Sequence, residues 1–374
     1  PLIPRVAAPT EPPAAPPDPA ANGLDALTGL PQREAFEDAL RDIAHRAEDA
    51  GAPFCVLCVG VDAFDLLNAT HGREAGDQIL RVIAQELRVM GQAGQPVARL
   101  GGTDFGLVVS GDLAEGRRVA QRLLHRLGQA VELGVQSIRV SCSIGLAAYP
   151  QHGARPRLVN QATLAMRVDR ESGGNSHAEY EPRMEEDQRE QSELARDLRH
   201  ALDRGELLLY YQPKVDARSL QITAAEALLR WQHPTRGIVS PAVFVPIAER
   251  HGLIGSIGNW VLEEATRQAA DWRSRGLRMR VAINVSAYQM RQDDFPDRLA
   301  ALLAMHRLKP ERFTCEITET VAMEDTRTTQ RAFLRLGQLG VHVSIDDFGT
   351  GHSRLALLRR LPAAELKIDR AFVT

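Results

Sequence analysis

Cysteine is scarce in this chain: four residues in 374, at positions 55, 58, 142 and 315. Scattered thiols of this kind exclude a disulfide scaffold, and all four read as reduced core residues of an intracellular protein. Cys55 and Cys58 share the apolar run Phe54-Cys55-Val56-Leu57-Cys58-Val59, where strand alternation turns their side chains to opposite faces. Net charge is nearly absent as well. The 45 basic and 48 acidic residues leave a formal −3, which gives no electrostatic reason to expect a nucleic-acid polymer or a membrane surface as partner. No apolar stretch approaches the ~20 residues of a membrane-spanning helix, and no charged-then-apolar secretory leader is present. The expected location is the cytoplasm, whether for the chain by itself or for the cytoplasmic part of a longer membrane or sensory protein.

At 374 residues the chain exceeds one ordinary domain, so two are expected, each burying its own core. Residues 1–22 are dominated by Pro and Ala and hold no aromatic side chain, a composition that cannot bury enough surface to fold. They read as an extended linker, and a start inside a linker without an initiator Met reads as a cut from something longer. No internal repeat is apparent.

Residues 23–182 make the first unit. The turn Asp25-Ala-Leu-Thr-Gly-Leu-Pro31 launches a helix over Arg33–Ala50, whose apolar residues Phe36, Leu40, Ile43 and Ala44 recur at helical spacing. The pattern then predicts a strand at Phe54–Val61, a helix from about Ala75 to Val89, a hairpin across Val97–Ser110, a helix from Leu113 to Leu127 and a strand at Ser137–Ala147. An α/β sheet follows from this order, with Arg99-Leu-Gly-Gly-Thr-Asp-Phe105 as its central turn. The opening Asp-x-Leu-Thr-Gly-Leu-Pro, that Arg-x-Gly-Gly-x-x-Phe turn, Ser143-Ile-Gly-Leu-Ala and the closing Gly173-Gly-Asn175 together resemble a GGDEF, or diguanylate cyclase, domain over essentially the whole unit.

The resemblance implies that Gly101 and Gly102 bring backbone close to the phosphates of GTP, while acids on the turn and on the first strand hold two divalent ions. This copy departs from that pattern where the chemistry lies. Thr103 replaces one metal-binding acid and the next is shortened to Asp104; Gly60 replaces the first-strand aspartate, leaving Asp62, and Asp65 replaces a phosphate-binding lysine. Diguanylate cyclase activity is therefore not expected. Asn68 and Asp77 match the guanine-reading positions, so a degenerate site that senses GTP is one reading. With metal acids and lysine gone, the preferred reading makes them ordinary turn and helix-cap groups. The product-inhibition motif Arg-x-x-Asp is missing too, Gln92 and Gln95 standing in its place.

Residues 183–374 make the second unit, entered through a charged amphipathic helix that can pass signals as well as link. Strand and helix then alternate, which implies a parallel sheet with helices outside and, as a single closed layer, a (β/α) TIM-like barrel that works at the carboxyl ends of its strands. The polar residues fall at those ends. The stretch Val341-His-Val-Ser-Ile-Asp-Asp-Phe-Gly-Thr-Gly351 runs from an alternating β-branched strand into two adjacent carboxylates, Asp346 and Asp347. Neighbouring acids repel unless a cation lies beside them, and Mg²⁺ and Mn²⁺ take oxygen ligands of this kind. Glu226, Asn284 and Glu316 close three further strands, and Lys367 and Asp369 sit in Leu366-Lys-Ile-Asp369. Each alone reads as a satisfied core or cap residue; the set reads as a cation site.

Glu226-Ala-Leu-Leu-Arg230, Asn284-Val-Ser286, Glu316-Ile-Thr-Glu319, Asp346-Asp-Phe-Gly-Thr-Gly351 and Leu366-Lys-Ile-Asp369 stand in the order of the EAL-type cyclic di-GMP phosphodiesterases, and the resemblance covers residues 190–374. It implies that Glu226, Asn284, Glu316 and Asp346 hold one Mg²⁺ or Mn²⁺, that Asp346 and Asp347 help hold a second, and that Lys367 orients or deprotonates the attacking water. Glu319 would steady the loop after Asp347, and Arg230 would contact a substrate phosphate, with Asp369 at the substrate side. A lysine between two cations is expected to be pushed toward its neutral form. The family's barrel continues for two more strands, with a further glutamate and glutamine, so the barrel reads as truncated after Thr374. The implied activity is hydrolysis of cyclic di-GMP to linear pGpG, regulated by an inactive GGDEF domain, in a homodimer paired through the EAL domain. The alternative is a non-catalytic cyclic di-GMP receptor.

Overall fold

In a computed structural model the chain is described over residues 23–91, 95–133, 136–153, 155–322, 327–349 and 363–372. The linker 1–22, Gln92 and the Thr350–Gly351 end of the paired-acid stretch lie outside the described residues. Contacts divide the chain into two units between Gln188 and Arg189. Among the described residues no helix is long and apolar enough to cross a membrane.

The first unit has a five-stranded sheet built from β1 (Phe54–Val61), β2 (Val97–Gly101), β3 (Asp104–Ser110), β6 (Cys142–Tyr149) and β7 (His177–Glu179), in the order β2-β3-β1-β6-β7, beside a small hairpin of β4 (Val131–Leu133) and β5 (Gln136–Ile138). β1 is buried along its whole length. Its unbroken apolar run suits the centre of a sheet covered on both faces, and it pairs antiparallel with β3 and β6. On one face Cys55, Leu57 and Val59 pack against helices α3 (Arg73–Met90) and α4 (Leu113–Leu127), with α2 (Phe64–His71) preceding them. On the other, Phe54, Val56 and Cys58 pack against α1 (Arg33–Ala50) and α5 (Leu158–Glu171). The two cysteines thus serve opposite cores, and burial pushes both thiols up to about 12. The β2–β3 turn runs through Gly101 at φ 138° and Gly102 at φ 53°, left-handed backbone that suits glycine.

The second unit starts within α6 (Pro182–Ala201), whose later turns give Leu194 and Leu198 to a core with Trp231 and Phe244. Its sheet contains β8 (Leu207–Val215), β9 (Ile222–His233), β10 (Gly237–Val239), β11 (Arg280–Asn284), β12 (Phe313–Thr318), β13 (His342–Phe348) and β14 (Glu365–Ile368). From β9 through β11, β12, β13 and β14 every pairing is parallel. Helices α7 (Pro241–Arg250), α8 (Ile254–Ser274), α10 (Phe295–Met305) and α12 (Arg327–Leu339) fall between the strands, as do the short α9 (Ala287–Met290) and α11 (Glu319–Ala322). The expectation of parallel strands throughout needs correction at the start. β8 runs antiparallel to β9, with Gln212 opposite Glu226, and β10 forms a further antiparallel arm on β9. The physical reason is connection length: the few residues Asp216–Gln221 can only double the chain back, whereas a parallel partner needs a crossover of about a dozen residues or more.

Candidate metal centre

Strand alternation sorts the second sheet into an apolar face and a polar one. Val281, Ile283, Phe313, Cys315, Ile317, Val343 and Ile345 join one core with Phe295, Leu299, Phe333 and Leu336 from the helices. Their alternates Ala282, Asn284, Thr314, Glu316, Ser344 and Asp346 therefore project from the opposite face. Register brings that face together: Glu226 lies opposite Ala282, Asn284 opposite Glu316, and Asp346 opposite Thr318.

The result is a convergence of charge. One carboxylate oxygen from each of Glu226, Glu316 and Asp346 lies within 4.8 Å of the others. Lys367 on β14 sits among them, its Nζ donating to Asp346 Oδ2 at 2.6 Å, Glu316 Oε2 at 2.9 Å and Glu226 Oε2 at 3.2 Å. Asn284 Nδ2 donates to Glu226 Oε1 at 3.1 Å. Glu316 is only 1% exposed, and burial pushes its carboxyl up against the opposing pull of Lys214 and Lys367. Burial also works to raise Glu226, but its bond from Asn284 and the charge of Lys367 outweigh that and hold it below the usual range. Three acids with an ammonium drawn into their midst is an all-oxygen donor set that already gathers a cation, so the residues fit a hard divalent ion.

Lys367 carries the positive charge of the set. Burial favours the neutral amine as expected, yet hydrogen bonds to Asp346 and Glu316 and the charges of Glu316 and Glu226 prevail and raise its pKa above that of an ordinary lysine. Lys367 is thus a charged donor to the three carboxylates.

The other expected residues lie on the same strands or just beyond their ends. Glu319, 3% exposed, accepts the backbone N–H of Gly349 at 2.8 Å and so ties α11 to the loop after β13. Asp347 has left-handed backbone at φ 53°, and its N–H donates to Asp346 Oδ1 at 2.9 Å. Partial burial, then the charges of Asp346 and Asp369, push its carboxyl up. Asp369 accepts the N–H of Ala371 at 2.8 Å. Arg230 lies four residues past Glu226 on β9, its guanidinium 5.8 Å from the centre of the Tyr210 ring and donating to the Leu229 carbonyl at 2.8 Å.

Sequence reasoning missed Lys214. From the antiparallel strand β8 its Nζ reaches Glu316 Oε1 at 2.5 Å and Glu365 Oε1 at 3.3 Å, holding the side of Glu316 that Lys367 does not. Composition carried a signal: only Lys214, Lys309 and Lys367 are lysines among 45 basic residues, and two of the three meet at one carboxylate.

The first unit's expected nucleotide residues are less concentrated. Asn68 lies on α2 with its side-chain oxygen buried and without a hydrogen-bond partner, and Asp77 is exposed on α3; neither caps a helix through its side chain. Asp65 is exposed in the first turn of α2. The Gly102 carbonyl of the glycine turn accepts from Arg99 at 2.7 Å, and Arg99 Nη1 also bonds both oxygens of Asp25. Asp62 and Asp104 lie at the neighbouring strand ends, Asp104 directly opposite Gly60.

Two protein-family models match the chain, one over each unit. The family model described as diguanylate cyclase, GGDEF domain, matches residues 22–176. The model described as EAL domain matches residues 195–374. The bifunctional diguanylate cyclase/cyclic di-GMP phosphodiesterase MucR of Pseudomonas aeruginosa is 39% identical over 352 residues, covering 93% of this chain and 51% of that protein. The cyclic di-GMP phosphodiesterase PdeR of Escherichia coli is 33% identical over 352 residues, covering 93% of this chain and 53% of its own length. The chain spans about half the length of these curated relatives. The S helix-GGDEF-EAL structure of Vibrio cholerae LapD, bound to c-di-GMP, shares the fold with a TM-score of 0.62 at 16% identity, over 94% of this chain and 83% of that one. The chain belongs to the tandem GGDEF–EAL proteins, an α/β GGDEF domain being followed by an EAL domain.

Proposed function

We propose that this chain hydrolyses cyclic di-GMP to linear pGpG at the acidic centre of its EAL domain, and that its GGDEF domain makes no cyclic di-GMP and regulates the hydrolysis. The observation that carries the reading is the meeting of Glu226, Glu316 and Asp346 around one amine. The names of PdeR and MucR, both cyclic di-GMP phosphodiesterases, support the substrate.

Glu226, Asn284, Glu316 and Asp346 would hold one Mg²⁺ or Mn²⁺, and Asp346 with Asp347 a second. Bound there, two such ions lower the pKa of water and offset charge on the phosphodiester undergoing in-line displacement. Asn284 fixes the orientation of Glu226, and Lys214 that of Glu316. Glu319 fixes the chain beyond Asp347 through Gly349. Nζ of Lys367, set among these carboxylates, would orient or take the proton of the water that attacks phosphorus as the 3′-oxygen leaves. Arg230 would meet a substrate phosphate, and Asp369 lies toward the substrate side. Pairing of two copies through the EAL domain belongs to the same proposal.

MucR's name covers both activities, but this chain has Thr103, Gly60 and Asp65 where the cyclase resemblance implies two metal acids and a phosphate-binding lysine. GTP is accordingly proposed to have no catalytic use here. The test is Glu226→Ala assayed with cyclic di-GMP and Mn²⁺. Turnover is expected to fall at least about a hundredfold together with Mn²⁺ affinity, as for loss of a ligand or its support; unchanged turnover would remove Glu226 from the centre.

A further inference from the structure

Resemblance assigns divalent ions to the acidic corner of the first unit where β1, β3 and α5 meet. The residues there do not fit such an ion. Arg170, on α5, places Nη2 at 3.3 Å from Asp104 Oδ1 and Nε at 3.5 Å from Asp62 Oδ1, so one guanidinium spans both remaining acids. Asp62 has further partners. Its Oδ1 accepts from Ser143 Oγ at 2.8 Å and its Oδ2 from the backbone N–H of Asn175 at 3.0 Å. Thr103 Oγ1 donates to Asp104 Oδ1 at 3.3 Å. Both oxygens of Asp62 and Oδ1 of Asp104 are thus engaged by the protein's own donors.

Gly60 is what lets the arginine in. It lies between Asp104 and Ser143 in the sheet register, on the face that α5 covers. A Cβ at this position would come within 1.9 Å of Arg170 Nη2 and 2.7 Å of Met166 Sδ. An aspartate here and this placement of Arg170 exclude each other, so one substitution removes a metal-type acid and also makes room for a fixed positive charge. Two unit charges about 4 Å apart near a protein surface interact strongly enough to change a binding constant by roughly a thousandfold, and a dication seated on Asp62 and Asp104 would carry double the charge.

We infer that Arg170 is the resident cation of this corner, and that the GGDEF domain of this chain binds neither Mg²⁺ nor Mn²⁺ there. The ions the chain takes up then belong to the EAL centre alone. This stands apart from the phosphodiesterase reading, since it concerns how many ions bind and where.

Mn²⁺ titration of the whole chain, with free ion followed by electron paramagnetic resonance, tests it in a Glu226→Ala/Asp346→Ala background that silences the second unit. That parent is expected to show no saturable site. Adding Arg170→Met is expected to create one equivalent of Mn²⁺ binding, at least about a hundredfold tighter than residual binding to the parent, and Asp62→Asn should abolish it. A parent that binds Mn²⁺ and loses it on Asp62→Asn overturns the inference whether or not the Arg170 variant folds. An Arg170→Met chain with the parent's circular dichroism and no gained Mn²⁺ overturns it as well, because the guanidinium would not be what keeps the ion out.

Discussion

Single side chains decide the chemistry, and Lys367 is the one whose state turns on its surroundings. Asp346, Glu316 and Glu226 hold it as a charged donor, and the proposed hydrolysis gives it the attacking water to orient or deprotonate. Lys367→Met is expected to lower kcat by about a hundredfold or more, the usual reach of general-base catalysis, without weakening Mn²⁺ binding, since a competing positive charge leaves the acids. A variant with parental kcat would strip Lys367 of that role. Asp25 gives a pH prediction in the first unit. Burial works to raise its carboxyl, but hydrogen bonds from Thr28 and Arg99 outweigh burial and hold it below its ordinary 3.8. A carboxyl lowered in the folded state stabilises above its unfolded value and ceases to do so as pH falls through the folded one. Asp25→Ala should therefore cost about 1–3 kcal/mol at pH 7, and that penalty should shrink below about pH 4. An equal penalty at pH 3 and pH 7 in thermal melts would contradict the linkage. At this scale the sequence was informative about the acids and blind to Lys214, because its relevance depends on β8 doubling back beside β9 rather than on any local motif.

At the scale of elements, period-2 and period-3.6 patterning located the long pieces well. β1 has the predicted bounds, and α1 and α4 start where their apolar spacing begins. What patterning could not convey was strand direction, which is set by connection length, nor the short elements α2, β4, β5 and β10, too brief to show a period. The contact between β6 and α5 was equally hidden. A Cβ on Gly145 would lie 1.9 Å from the Ala162 carbonyl and 2.2 Å from the Met166 nitrogen, both of them backbone atoms. No rotamer change relieves that, so Gly145→Ala should lift the helix from the sheet and cost at least about 3 kcal/mol. The melting transition of the first unit should drop by roughly 6 °C or more; a shift below about 2 °C would mean that α5 is not packed as described.

At the scale of the molecule, two units with separate cores carry two acidic corners that have gone different ways. In one, Arg170 bridges Asp62 and Asp104 across the gap left at Gly60. In the other, Glu226, Glu316 and Asp346 converge on a single amine. The motifs of both units were legible because alternation along a strand fixes the face that each acid takes. The arginine was not, since α5 approaches β1 only through the tertiary fold. The most direct measurement is to incubate the chain with cyclic di-GMP and Mn²⁺ and separate the nucleotides by anion exchange. Linear pGpG is expected to accumulate only while the metal is present; tight retention of cyclic di-GMP with no linear product would contradict hydrolysis and leave a receptor.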